Sequence, residues 1–352
     1  MDKYLTSEKQ GFSVPLTRYP ENVKNSVFEL SAAAPSVPAP DPAELARLTG
    51  QAEEYIRAAK AQATLRAYRA DWRHFENWCR EKGFSALPAT PDTVALYLGE
   101  IAATRRPSTL ARRLTSINKV HRAAGHPAPA RMEHLSVGET LKGIRRVHGT
   151  EQIGKRPLFT DDLRAIVDAV PPGLIGIRDR ALLLAGFAGA FRRSELAALR
   201  MENLEETKEG LVIRISKSKT DPEGRGREAA LPYGSTPETC PVRACRDWIA
   251  AAHLEDGPLF RRIDRHDRVS ERALHKDSIG GIVKRAARRA GLDPKAYAGH
   301  SLRAGFCTQA YLNGAREFDI MRQTGHRSLA TLRQYVRGRG LFRDNAAAKL
   351  GL

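Results

Sequence analysis

A mainly α-helical chain in two domains, the second carrying a small antiparallel sheet among its helices, is the fold class this sequence predicts. Three observations predict it. Apolar residues recur at three- and four-residue steps in one segment after another. The stretch HGTEQIGKRP, residues 148–157, has the polarity, glycine and proline of a linker. Leu211–Ser216 (LVIRIS) alternates apolar with polar instead, as a strand does. At 352 residues, 41% of them hydrophobic and 28% charged, the chain is long enough to bury two cores.

Residues 1–42 hold few periodic apolar positions and end in SAAAPSVPAPDP, whose prolines join neither helix nor sheet ladder; a mobile arm is expected. Asp41-Pro42 is an N-cap followed by proline at the first helical position, opening a helical block through Glu44–Lys60 and Ala63–Arg80. In the second piece Leu65, Tyr68, Trp72, Phe75 and Trp78/Cys79 form one apolar face, and Arg66, Arg69 and Arg73 fall on another. Further helices are predicted at Thr90–Ala103, capped by Thr90, at Ser108–Ala124, capped by Ser108, and at Gly138–Arg146. These elements give a helical domain over 43–147, a linker over 148–157 and a second domain over 158–352.

The second domain opens with Thr160-Asp161-Asp162, a helix start followed by Leu163, Ile166, Val167 and Val170 on one face and ended by Pro171-Pro172-Gly173. Ile177–Ala190 is apolar enough to be a helix buried in the middle of this domain, and it delivers Arg192, Arg193, Ser194 and Glu195. An arginine at the mouth of a buried helix is either paired or faces a ligand, and Glu195 is the nearest partner. A short helix to Leu199 follows. Leu211–Ser216 then runs into Lys217 and Lys219, a glycine-rich turn at Pro222–Gly226, and a return strand at Arg227–Pro232. Helices are predicted at Val242–Ala252 and Ser278–Ala290, the latter with Lys284, Arg285, Arg288 and Arg289 on its exposed side. Gly299–Gly340 then brings His300 and Arg303 on one turn, His326, and Tyr335.

Charge narrows the partner. Lys and Arg number 58 against 40 Asp and Glu, a net +18 with pI near 10.1, which calls for a polyanion. The longest apolar run, Ala181 to Phe191, is too short to span a bilayer and is closed by Arg192 and Arg193, so nucleic acid is favoured over membrane. Arg105, Arg106, Arg112, Arg113, Lys119 and Arg122 lie in a stretch almost without acids, a face that phosphates would neutralise, although a plain solvated face has the same composition. Cys79, Cys240, Cys245 and Cys307 are scattered as in a reducing compartment, and Cys240 with Cys245 lacks the second half of a zinc site.

FRRSEL with Arg192, a hairpin lysine, HSLR with His300 and Arg303, GHRS with His326, and Tyr335 occur in the order and spacing of one family. The chain resembles the tyrosine recombinase (phage integrase) family, in particular its simpler Cre-like members, over about residues 45 to 352. The resemblance implies a core-binding SAM-like helical domain and a catalytic domain closing as a clamp around double-stranded DNA with inverted-repeat core sites. It implies a dimer on each site, a tetramer in synapsis, a helix near 343–352 docking on a neighbour or packing in cis, and a cytoplasmic bacterial, phage or plasmid setting. It assigns Lys219 as the acid for the leaving 5′-oxygen, with Lys217 as its competitor.

The chemistry asks for the same residue types. An attacked phosphodiester gains charge on its non-bridging oxygens, which the forked donors of Arg192 and Arg303 and a further donor, His326, can meet. Tyr335 is the nucleophile, His300 accepts or steers its proton, and Glu195 holds Arg192. Arg193 competes with Arg192, whose phase with Ser194-Glu195-Leu196 fits the motif better. No acidic metal cluster and no GxxxxGK[ST] loop is seen, so activity without metal, ATP or other cofactor is expected. A type IB topoisomerase-like nicking-closing enzyme and a non-catalytic helical DNA-binding protein are the alternatives.

Overall fold

The computed structural model describes residues 41–151, 154–216, 226–336 and 350. The N-terminal arm, Lys217 and Lys219, and the helix expected near 343–352 lie outside them. The chain divides into two compact units, Met1–Gln152 and Ile153–Leu352.

The first unit is all helical: α1 (Pro42–Ala58), α2 (Gln62–Lys82), α3 (Pro91–Ala102), α4 (Pro107–Ala123) and α5 (Leu135–His148). Asp41 caps α1 by accepting the Ala43 N–H at 3.2 Å, and Thr90 caps α3 by accepting the Thr93 N–H at 3.2 Å. Helix α4 begins a residue before the predicted Ser108 cap. Pro107 takes its first position, where a missing N–H costs nothing, and Arg106 becomes the N-cap. The periodic apolar face of α2 packs as an aromatic core, with Phe75 and Trp78 5.0 and 5.3 Å from the Tyr97 ring. His121 is fully buried there; its Nε2 accepts the Ala89 N–H at 2.9 Å, so its proton is on Nδ1, donated to the Ile117 carbonyl at 2.9 Å.

The second unit is built around α7 (Leu174–Ala188), whose Ala181, Leu182, Leu183 and Leu184 are all buried. Each such leucine contributes about 1.5–3 kcal/mol by leaving water. Before it lies α6 (Thr160–Asp168) and after it a one-turn helix α8 (Arg193–Ala197). A three-stranded antiparallel sheet follows, β1 (Leu204–Glu206), β2 (Gly210–Ile215) and β3 (Arg227–Pro232), in that order, with Ile213 opposite Ala229 and Ile215 opposite Arg227. Helix α9 (Pro241–Ala251) packs on α7 and anchors with Trp248, whose indole N–H donates to the Leu259 carbonyl at 2.7 Å. Cys240 is its N-cap residue, its sulfur accepting the Gly234 and Arg243 N–H groups at 3.2 and 3.5 Å. A short pair, β4 (Arg261–Ile263) and β5 (Val269–Ala273), was not foreseen from the sequence because its strands are short and largely polar. Helices α10 (Lys276–Arg289), α11 (His300–Leu312), α12 (Glu317–Thr324) and α13 (Leu329–Val336) complete the described unit. No helix among the described residues is long and apolar enough to cross a membrane.

Helix α11 is seated tightly. The Leu158 N–H donates to the Ser301 carbonyl at 3.0 Å, and a Cβ at Gly305 would stand 1.9 Å from the Leu158 carbonyl oxygen. Gly305→Ala must therefore push the 158 segment off α11. Urea unfolding of the second unit is expected to show a loss of about 1–3 kcal/mol, the usual cost of overpacking; an unchanged midpoint would show that the seat is soft.

Candidate active site

The site grows out of the end of α7. The chain turns through Ala190, which takes a left-handed φ of 48°, and Arg192 becomes the N-cap of α8. Glu195, at the third position of α8, folds back on that cap: one carboxylate oxygen accepts the Arg192 N–H at 3.0 Å, and the other accepts the Arg192 guanidinium at 2.6 Å. The same carboxylate takes a second guanidinium, Arg227 of β3, at 3.1 Å. Burial pushes the Glu195 carboxyl upward, and the Arg192 backbone and side-chain bonds with the Arg227 charge outweigh it, holding it below the usual carboxylate range. Arg193 points elsewhere, half-exposed and 3.6 Å from Asp277 of α10.

Helix α11 supplies the next two groups one turn apart. Arg303 is almost wholly buried and donates to the Ala190 carbonyl at 2.6 Å and to His326 Nε2 at 3.0 Å. Neither acceptor carries a charge, so burial and the neighbouring Arg192 depress the Arg303 pKa. His300 lies with its Nε2 2.9 Å from the Tyr335 hydroxyl. Tyr335 sits on the last turn of α13, packed over buried Cys307, Ile320 and Leu332, with its ring 5.5 Å from that of His300 and 5.3 Å from that of His326. Burial raises its pKa above the usual 10, opposed by the Arg303 charge. His326 follows Gly325, the left-handed C-cap of α12 at φ 67°. Burial first, then Arg303 and Arg192, push the His326 pKa down to about 4.

Arg192, Glu195, His300, Arg303, His326 and Tyr335 are thus brought together, each from the segment named for it in the sequence. One detail departs from expectation. His326 does not offer Nε2–H as a donor here, because an arginine can only donate and Nε2 accepts from it. One residue was missed altogether. Arg227 bridges Glu195 to the Gln323 carbonyl of α12 at 2.7 Å and lies over the Phe191 ring at 6.0 Å. The signal was available, since strand alternation puts residue 227 on the inward face with Ala229 and Leu231.

On the first unit, Arg66, Arg69, Arg73, Arg105, Arg106 and Arg122 are exposed. Lys119 is half-buried with its ammonium 5.7 Å from the Tyr68 ring. Arg112 is exposed yet forked onto Asp71 at 2.7 and 3.0 Å. Arg113 corrects the reading of one basic face: it shares the buried stripe of Leu110, Leu114 and Ile117 and donates to the Tyr97 hydroxyl at 2.5 Å beside Asp71, so it has nothing to present to a phosphate. On the second unit, Lys284, Arg285, Arg288 and Arg289 are exposed along α10. Among the described residues no group of three or more His, Cys, Asp or Glu side chains is placed to hold a metal ion.

A helical unit, a second unit with a small antiparallel sheet, and a guanidinium cluster around a tyrosine hydroxyl define the class as the tyrosine recombinases, enzymes that cut and rejoin DNA. Residues 157–339 match the phage integrase family and residues 53–126 the phage integrase N-terminal SAM-like domain, and the chain belongs to that family. It is 39% identical over 310 residues to the integrase/recombinase xerD homolog of Selenomonas ruminantium, covering 86% of this chain and 90% of that one. It is 24% identical over 308 residues to the recombinase cre of Escherichia phage P1, covering 80% and 85%. The Tn1549 transposon integrase, solved in complex with circular intermediate DNA, shares the fold with a TM-score of 0.57 at 13% identity, over 85% of this chain and 96% of that one.

The depressed His326 pKa has a stability consequence. Between 6.5 and about 4 the unfolded chain binds a proton at this histidine that the folded chain refuses, so stability falls as pH falls through that window. The slope from this one group is at most ~1.4 kcal/mol per pH unit. Urea midpoints taken from pH 7 to 4 are expected to fall less steeply for His326→Gln than for wild type; parallel curves would contradict the assignment.

Proposed function

We propose that this chain is a site-specific recombinase in which Tyr335 attacks DNA and forms a 3′-phosphotyrosine. The contact that carries the reading is His300 Nε2 at 2.9 Å from the Tyr335 hydroxyl, beside the buried guanidinium of Arg303. A tyrosine with a pKa above 10 is ionised less than about once in a thousand at pH 7, so it needs a base in contact. His300 Nε2 takes the phenolic proton as the oxygen bonds to phosphorus. The bond from phosphorus to the 5′-oxygen breaks, and that oxygen takes a proton from Lys219, or from Lys217, on the family's pattern. Arg192 and Arg303 hold the non-bridging oxygens as charge builds there, with Glu195 fixing Arg192 as a positioning residue.

A 5′-hydroxyl from a second strand reverses the chemistry and rejoins DNA, and two such exchanges pass through a Holliday junction. The reading makes 43–147 the core-binding domain, 148–157 the linker and 158–352 the catalytic domain, with about 343–352 docking between protomers. It gives the enzyme inverted-repeat sites, a dimer on each and a tetramer in synapsis, in the cytoplasm with the DNA. The exposed arginines of α2, of the α3–α4 turn and of α10 suit phosphate contacts.

Incubation with nicked inverted-repeat DNA from beside the gene is expected to give a denaturation-resistant adduct mapping to Tyr335. Tyr335→Phe abolishes it while DNA binding persists; an adduct surviving that substitution overturns the assignment. Relaxation of any supercoiled plasmid, with no preferred site, would point to a topoisomerase. Arg303→Lys keeps charge but loses the fork, and the adduct rate is expected to fall ~10²–10³-fold, the usual cost of one transition-state donor, with little change in DNA affinity.

A further inference from the structure

The hydrogen bonds around His326 leave one consistent arrangement of protons. Arg303 donates to Nε2 at 3.0 Å, so Nε2 carries a lone pair and the ring proton is on Nδ1. Nδ1 lies 2.8 Å from the Thr324 hydroxyl oxygen, which therefore accepts. The Thr324 hydroxyl sends its own proton to the Ile320 carbonyl, one helical turn back, at 2.7 Å. Thr324 is fully buried and His326 nearly so, and no solvent contact at the hydroxyl competes with these bonds.

We propose that Thr324 is a positioning residue that fixes the tautomer of His326 and so decides which nitrogen meets the reacting phosphate. The inference rests on the recombinase reading. When a phosphate oxygen draws the Arg303 N–H away, Nε2 is uncovered, and the anionic phosphate beside it favours the charged ring, which takes its proton from a buffer acid in solvent and leaves that acid as its conjugate base. The resulting imidazolium keeps Nδ1–H on Thr324 and presents Nε2–H to the phosphate. The hydroxyl is an acceptor in both states, so the ring does not turn. Without it a buried Nδ1–H would lose its partner, and the proton would shift to Nε2, against the Arg303 guanidinium.

Thr324→Val keeps the shape and removes the oxygen. Its adduct rate on nicked inverted-repeat DNA is expected to fall ~10-fold or more, the scale seen when a partner that orients a histidine is lost, with DNA affinity unchanged. Thr324→Ser is expected to return the rate to within about twofold of wild type, since the acceptor is restored. Nitrogen NMR of the DNA-free full chain, with the His326 signals assigned by their loss in His326→Gln, is expected to show the Nδ1–H tautomer in wild type and Ser and to lose it in Val. An Nε2–H tautomer in wild type overturns the proposal, and so does a Val variant with wild-type rate and tautomer. If wild type forms no adduct on any site, the recombinase reading fails while the nitrogen shifts still decide the tautomer. If Val does not fold, the wild-type tautomer and the Ser rate decide it.

Discussion

One carboxylate holds this site together. Glu195 lies buried in the single turn of α8 and is shared by the guanidinium groups of Arg192 and Arg227, which come from the α7–α8 turn and from the sheet. Bringing three charges out of water costs several kcal/mol per ion before any attraction is counted, and removing one member of such a set strands the others. The arrangement therefore makes sense less as a stabiliser than as a jig. It aims Arg192, ties β3 to α8, and through the Gln323 carbonyl reaches the turn that carries His326.

The jig stands on a hydrophobic frame that sets distances. Buried α7 packs on α9 and α11, so the mouth of α7 and the first turn of α11 keep fixed places, and the Ala190 carbonyl meets Arg303. Helix α13 closes on α11 and α12 over a small apolar cluster of its own, Cys307, Ile320 and Leu332. The Thr308 hydroxyl adds a link from α11 to the Tyr335 carbonyl at 3.1 Å. The tyrosine thus rests on a small cluster apart from the main core around α7, and α11, which carries Arg303, joins the two.

Most of this could be read before any coordinates. Caps at Asp41 and Thr90, the buried run of α7 and the β2–β3 pair all follow from local chemistry and period, and Arg192, His300, Arg303, His326 and Tyr335, named from their motifs, lie close together. Where the reading stopped, the reason is physical. The charge of Arg113 suggests a phosphate contact and that of Arg227 suggests nothing in particular, whereas their positions on a helical stripe and on an inward strand face are the better guide. An ion pair lets an arginine occupy a core position, and a single sequence does not display the partner, Asp71 or Glu195, that makes it tolerable. β4 and β5 escaped because they are held by each other, with little alternation of their own.

The imbalance at the centre of the site reaches beyond catalysis into handling. Three guanidinium groups gather here against one carboxylate, Arg192 and Arg227 paired with Glu195 and Arg303 bonded to uncharged acceptors, and a surplus of that sign suits a small oxyanion. Sulfate and inorganic phosphate share the tetrahedral oxygen arrangement of a phosphodiester and carry at least its single negative charge. By mass action an ion bound there would stabilise the fold in storage and would compete with a DNA phosphate for the same donors.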